Sequence, residues 1–162
     1  GATLMAYANA TTKRDQVLAQ LHANLVAIAT PTYGNNVKRV FTYDAQRLVL
    51  GGETPAIAVI PITDTRVRAL ACSSDEYRMN IQIVGVLRVD PSASAWKSKI
   101  QLLAGDIQQV IANDRQLTSK AIYIEVDEVD ISDAEVSGNR VLAVCAVAAT
   151  IVYRVGVLDV TT

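Results

Sequence analysis

The sequence predicts an α/β domain in the α+β sense: a mixed, mostly antiparallel sheet with two main amphipathic helices packed on it. Three observations carry that expectation. Two stretches, one after Thr12 and one after Ser92, repeat apolar residues at spacings of three and four, the period of a helix that buries one face. Several other runs alternate apolar and polar residues or are continuously rich in Val, Ile and Ala, as strands are. Only the join from Val89 to Ile122 is long enough to hold a crossover helix, and joins of hairpin length make neighbouring strands antiparallel.

Taken in order, Thr12 offers a capping hydroxyl with Asp15 three residues on, and Val17, Leu18, Leu21, Leu25 and Ile28 follow at helical spacing. This first helix is expected to end near Thr30-Pro31, because the residue before a proline is pushed out of the helical region. Tyr33 to Asn36 reads as a turn. Short β-like runs then cover Val37 to Tyr43, Arg47 to Leu50 and Ala56 to Ile60, the last confined by Pro55 and Pro61 to an edge or a strand end. The polar stretch from Ile62 to Asp75 is expected to be a loop or an irregular hairpin. Tyr77 to Val89 alternates cleanly and predicts a long strand with one wetter face, stopped by Asp90-Pro91-Ser92. Trp96, Ile100, Leu103, Ile107, Val110 and Ile111 define a second helix from about Ala93 to Ala112, capped by Ser92 or Ser94, with Gly105 read as a point of close helix packing. Ala121 to Val126 predicts a strand and is followed by an acidic connector. After a turn at Ser137-Gly138-Asn139, Arg140 to Arg154 is apolar on both faces, as expected for a strand in the middle of a sheet covered on both sides.

No repeat, linker or low-complexity tract divides residues 1–162, so a single domain is expected, with 1–12 and 156–162 as flexible or interface-forming arms. Hydrophobic residues make up 51% and charged residues 19%, the balance of a chain that folds around a core. A net charge of −1 without any Lys or Arg run argues against sequence-specific nucleic-acid binding. The most apolar stretch, Val141 to Tyr153, falls well short of the roughly 20 residues a membrane helix needs, so no membrane partner is expected. Gly1-Ala2-Thr3 does not open a basic region followed by an apolar one, so no export signal is expected. Cys72 and Cys145 read as small apolar side chains and not as a disulfide framework.

The usual chemistry is missing from the sequence. The glycine-rich phosphate loops, the nucleophile elbow, the zinc helix motif and CxxC are all absent, and Gly51-Gly52 reads as a turn. His22 is the single histidine and has no nucleophile or ligand at helical spacing, which removes the common general base. The expectation is therefore of no catalytic residue, no cofactor and no metal. The acidic series Glu125, Asp127, Glu128, Asp130, Asp133 and Glu135 lacks the glycine and the spacing of a calcium loop and reads as a solvated strand edge or connector.

The order of elements resembles the tail terminator proteins of tailed bacteriophages, also called tail completion or tail-to-head joining proteins. The resemblance spans roughly residues 13 to 155. It is carried by the N-terminal helix leading to Thr54-Pro55-Ala56-Ile57-Ala58-Val59, the alternating strand Tyr77 to Val89, and the helix Trp96 to Ile111 with Leu103 and Asp106-Ile107 inside it. The Ile-x-Ile-x-Val strand, its acidic connector and the closing Thr150-Ile151-Val152-Tyr153-Arg154 complete it.

The resemblance implies a structural virion protein, commonly a hexameric ring, that caps the tail tube, ends tail growth and presents a surface to the head connector. Its implied partners are copies of itself, the tail tube protein and a head connector or neck protein. Its implied place is the tail-head joint of a virion assembled in the host bacterial cytoplasm. Another neck, baseplate or sheath-associated subunit of a phage-like contractile system is the nearest alternative, and a small ligand-binding or enzymatic α/β protein is the alternative of a different class. For a ring subunit, Val37, Val40, Phe41, Leu48, Leu50, Val157 and Leu158 are the candidate subunit or partner contacts, as apolar residues that a small core leaves over. Glu125, Asp127, Glu128, Asp130 and Asp133 are the candidate channel-facing segment.

Overall fold

A computed structural model of the chain describes residues 12–44, 48, 52–71, 74–90, 95–137 and 140–156. The elements run α1 (Lys13–Val26), β1 (Arg39–Thr42), β2 (Ala56–Ala71), β3 (Ser74–Val89), α2 (Trp96–Asn113), β4 (Tyr123–Ser137) and β5 (Arg140–Gly156). The five strands form one sheet in the order β1-β2-β3-β5-β4, and the fold is α+β. β1 pairs parallel with β2, and every other neighbouring pair is antiparallel, so the sheet is mixed and mostly antiparallel. β3 and β4 both run against β5 and hence parallel to each other, with α2 as the crossover and β5 inserted between them.

Local chemistry explains the first helix. The Thr12 hydroxyl accepts from the Asp15 backbone N–H at 3.2 Å and donates to the Asp15 carboxylate at 2.8 Å. One orphan donor of the first turn is thereby satisfied. The helix stops at Val26, a turn before Thr30-Pro31, yet Ile28 stays buried because the chain turns inward and its carbonyl accepts from Val37 N–H at 3.1 Å. α2 begins at Trp96, and the expected caps Ser92 and Ser94 lie outside the described residues, as do Gly51 and Cys72.

Both helices pack on one face of the sheet. Val17, Leu18, Leu21 and Leu25 of α1 and Ile100, Leu103, Ile107 and Val110 of α2 meet Ile57, Met79, Ile81, Ile83, Val147, Ala149 and Ile151 of the strands in one core. Asp114 ties the two helices together by accepting from Asn24 Nδ2 at 2.9 Å, and it caps the turn behind α2 through Thr118 N–H at 2.8 Å. Gly85 lies where α2 comes closest: a Cβ there would stand 2.9 Å from both Cys145 Sγ and Leu103 Cδ2. Cys145 is fully buried in this layer, and burial pushes its thiol up to about 11, as suits an inert apolar side chain. Gly105 departs from its expected role. It is exposed and faces open space, so α2 makes no close helix contact there.

Three strands differ from expectation. The stretch from Ile62, expected as a loop or irregular hairpin, is the second half of a sixteen-residue β2 whose register slips at Pro61/Thr63, Arg66/Arg68 and Ala69/Ala71. Those slips break the alternation that marks an ordinary strand. The acidic connector is likewise strand, because β4 runs unbroken from Tyr123 to Ser137 along β5. β5 is central in the sheet but is helix-covered on one side only: Ala143, Cys145, Val147 and Ala149 are buried, whereas Leu142, Val144, Ala146 and Ala148 are half-buried. Small alanines on its second face lower the exposed apolar area, and the sequence pattern alone does not separate that from burial. Of the expected strand Arg47 to Leu50, only Leu48 is described, and it is not in a strand.

Candidate assembly surfaces

The second face of the sheet is covered only at one corner. There Leu48, 4% exposed, joins Ala56, Ala58 and Val86 in a smaller cluster, with Phe41, Ile60, Val84 and Val144 packed against it. Beyond that corner no described helix covers the face, and on β5 it holds the buried Thr150 and Val152 as well as the half-buried Ala146 and Ala148. The register lines up Glu125 with Thr150 and Asn80, Glu128 with Ala148 and Gln82, and Asp130 with Ala146 and Val84. An exposed acidic row on β4 thus borders a half-buried band of small side chains.

Asp127 stands at the slip between Val126 and Glu128, and its carboxylate accepts from the Thr150 hydroxyl at 2.5 Å. Asn80 Nδ2 donates to Thr63 Oγ1 at 2.9 Å, and Asn80 Oδ1 lies 3.2 Å from the Thr150 hydroxyl. This polar line crosses four strands and pins their register on the open side. Glu125, Asp127, Glu128 and Asp130 are all exposed, and Asp133 pairs in register with Ala143, its side chain lying outside the described ones. Among the described residues, no group of three His, Cys, Asp or Glu side chains is placed to hold a metal ion.

The apolar contact candidates divide between the two faces. Val37 and Val40 pack against the main core, and Phe41 and Leu48 belong to the smaller cluster, so these four residues cap the chain's own interior. Leu50, Val157 and Leu158 lie outside the described residues. The large apolar side chains that do face solvent include Ile62, at 57%, and Val67, at 45%, both on the irregular half of β2. Sequence reading missed them because this stretch was expected to be loop. Its signal was the run of β-branched residues Ile62, Thr63, Thr65 and Val67, which favours strand.

No family model matches the chain, and no curated protein is similar to it in sequence. The geometry therefore carries the functional argument.

Two open clefts flank the helical layer. One, of about 330 Å³, lies between α1 and β1 and is lined by Asp15, Leu18, Ala19, His22, Thr42 and Tyr43. Its polar groups are engaged with each other: His22 Nδ1 is 2.9 Å from Thr42 Oγ1, and the Tyr43 hydroxyl donates to Asp15 at 3.4 Å. The other, of about 350 Å³, joins Trp96, Lys97 and Gln101 of α2 to Ile131 and Ser132 of β4. At the start of α1, Arg14 Nε donates to Asp64 of β2 at 2.7 Å, and the buried Tyr153 hydroxyl donates to the same carboxylate. Burial first, and then Asp64, raises the Tyr153 pKa, so the phenol stays protonated as a donor. These groups lock α1 to the strands and leave no activated nucleophile among them.

At about 3.3 Å per residue the sixteen or seventeen residues of β2, β3 and β5 span about 50 Å. At about 1.5 Å per residue the eighteen residues of α2 span only about 27 Å. The main core nevertheless reaches from Val89 and Ala143 at one end of β3 and β5 to Tyr77, Tyr153 and Val155 at the other, so the two helices together follow these strands over most of their length, and it is on β2 that Ile62 and Val67 stand outside it.

Proposed function

We propose that this chain is a structural subunit of a phage tail, which joins copies of itself into a ring, commonly of six, that caps the tail tube, ends its growth and offers a joint to the head connector. The observation that carries the reading is a sheet with helices on one face, exposed Ile62 and Val67 on β2, and an exposed acidic row on the outermost strand β4. A subunit of a closed ring needs contact surfaces on two different sides, and the exposed apolar groups of β2 and the outer edge of β4 lie toward opposite sides of the sheet. The order of elements that resembles the tail terminators supports the same assignment. In this reading the protein is not an enzyme, uses no cofactor, and resides at the tail-head joint of the virion.

The acidic row on the open face has a role in this reading. Facing the channel, Glu125, Asp127, Glu128 and Asp130 repel DNA phosphates and let the genome pass without adhering. Replacing Asp127, Glu128, Asp130 and Asp133 with their amides is expected to slow DNA passage in assembled particles and to leave rings intact. Unassembled subunits would count against the channel role.

The direct test is to add the purified protein to tail tubes assembled in its absence and image the tube ends. Tubes each closed at one end by a ring of this chain, and unable to extend further when tube subunits are added, are the expected result. Binding to a baseplate, a sheath or the head side alone would move the protein to a different part of the particle.

A further inference from the structure

We propose that copies of this chain join edge to edge, the uncovered edge of β2 on one copy pairing antiparallel with the outer edge of β4 on the next. The proposal rests on the ring reading and names its joint.

Among the described residues, both sides of the sheet keep an unpaired stretch of edge. β1 pairs with β2 only from Ala56 to Val59, so no described strand lies along the outer side of β2 from Ile60 to Ala71. Pro61 has no N–H, which places the start of any added pairing after it. On the opposite side β4 is the last strand, and the described backbone hydrogen bond from its outer edge runs from Ile124 N–H to the Arg115 carbonyl at 2.7 Å. From Asp127 to Ile131 no described strand pairs with that edge.

Direction makes the two edges compatible. β2, β3, β5 and β4 alternate in direction, so β4 runs opposite to β2, and a second copy placed with its β2 beside β4 continues the alternation without a break. Each copy then bears the same relation to the next, the heterologous arrangement that closes into a ring when the rotation divides a full turn.

Charge selects this pairing over the two symmetric ones. β4 against a second β4 would set Glu125, Glu128 and Asp130 against their own copies, and like charges directly opposite destabilise a strand pair. β2 against a second β2 would bring exposed Arg66 near its own copy, with exposed Arg78 one strand behind at Thr65. β2 against β4 avoids both: Thr65 and Arg78 share the open face with the acidic row, and Arg66, on the helical face with Tyr77, comes beside Val129 and Ile131. Ile62 and Val67, which project at the register slips of β2, supply the apolar part of the contact. Backbone pairing and these aliphatic groups hold the joint, and the charges choose the partner. Neutral amides on β4 therefore leave the ring standing, and reversed charges do not.

A charge exchange tests the joint. One variant carries Thr65→Glu and Arg78→Glu, the other Glu128→Arg and Asp130→Arg; all four residues are exposed, and circular dichroism checks that both variants fold. Each variant alone is expected to lose the ring mass seen for the wild-type chain. A one-to-one mixture is expected to regain it, because every joint between unlike variants again opposes unlike charges. Wild-type rings with variants that keep their mass singly, or with folded variants that do not recover when mixed, would overturn the joint and leave the ring reading intact. A wild-type chain that stays monomeric at every concentration would overturn both. Should either variant unfold, amide hydrogen exchange on the wild-type chain decides: protection gained on assembly in both β2 61–71 and β4 125–132 is expected, and rings without it would refute the joint.

Discussion

Substituting Gly85 by alanine tests the closest approach of α2 to the sheet. Elsewhere in a strand the exchange stabilises by roughly 0.5–1 kcal/mol, because glycine loses the most freedom on folding. At Gly85 the new Cβ would stand 2.9 Å from Cys145 Sγ and Leu103 Cδ2 and 3.4 Å from Ile107 Cδ1, and all three neighbouring side chains are fully buried. None of them has solvent to move into. Overpacking of this kind costs about 1–3 kcal/mol, so the net expectation is a loss of about 1–2 kcal/mol. Urea unfolding at one fixed protein concentration reads it as a lower midpoint with an unchanged slope. Cys145→Ala removes one of the two closest atoms, so the double variant is expected to recover part of the loss, with a coupling of about 1 kcal/mol. A Gly85→Ala protein as stable as the wild type, or more so, would refute the close contact between α2 and β3.

Two further predictions concern the loops that fix the helices. Asp106, only 6% exposed, accepts from Gly34 N–H at 3.0 Å and from Asn35 Nδ2 at 2.8 Å; Asp106→Ala is expected to cost about 2 kcal/mol in the same unfolding assay, and a loss below about 0.5 kcal/mol would show that the turn stands without it. Burial alone would raise the Asp114 pKa, but hydrogen bonds from Thr118 and Asn24 outweigh it and hold the group below its ordinary value. A depressed carboxylate contributes stability that is present above the unfolded-state pKa and lost as pH falls through the folded one. The stability gap between wild type and Asp114→Ala should therefore be constant above about pH 5 and shrink toward pH 3, and a gap that widens on acidification would contradict the assignment.

Much of the fold was legible because its signals were local. The Thr12 cap, the stripes of α1 and α2 and the alternation of Tyr77 to Val89 each depend on neighbours within a few residues, and each stands in the structure. The errors came where tertiary context decides. The second half of β2 slips its register three times, which hides the period of two, although β3 holds it in the sheet throughout. The acid-rich part of β4 reads as a connector because its charges oppose burial, but a strand with an open face and an open edge has no need to bury them. Apolarity on both faces of β5 predicted two covering layers, and the half-buried Ala146 and Ala148 show one. The surfaces proposed for assembly were the least legible. Val37, Val40, Phe41 and Leu48 turn inward, whereas Ile62 and Val67 face outward from a stretch whose strand character appears only in pairing.

The ring is tested most directly by the mass of the native particle, measured by light scattering coupled to size exclusion over a range of concentrations. A concentration-stable mass near six times the 17.4 kDa of the chain is the predicted result. A strict monomer throughout that range would contradict the ring.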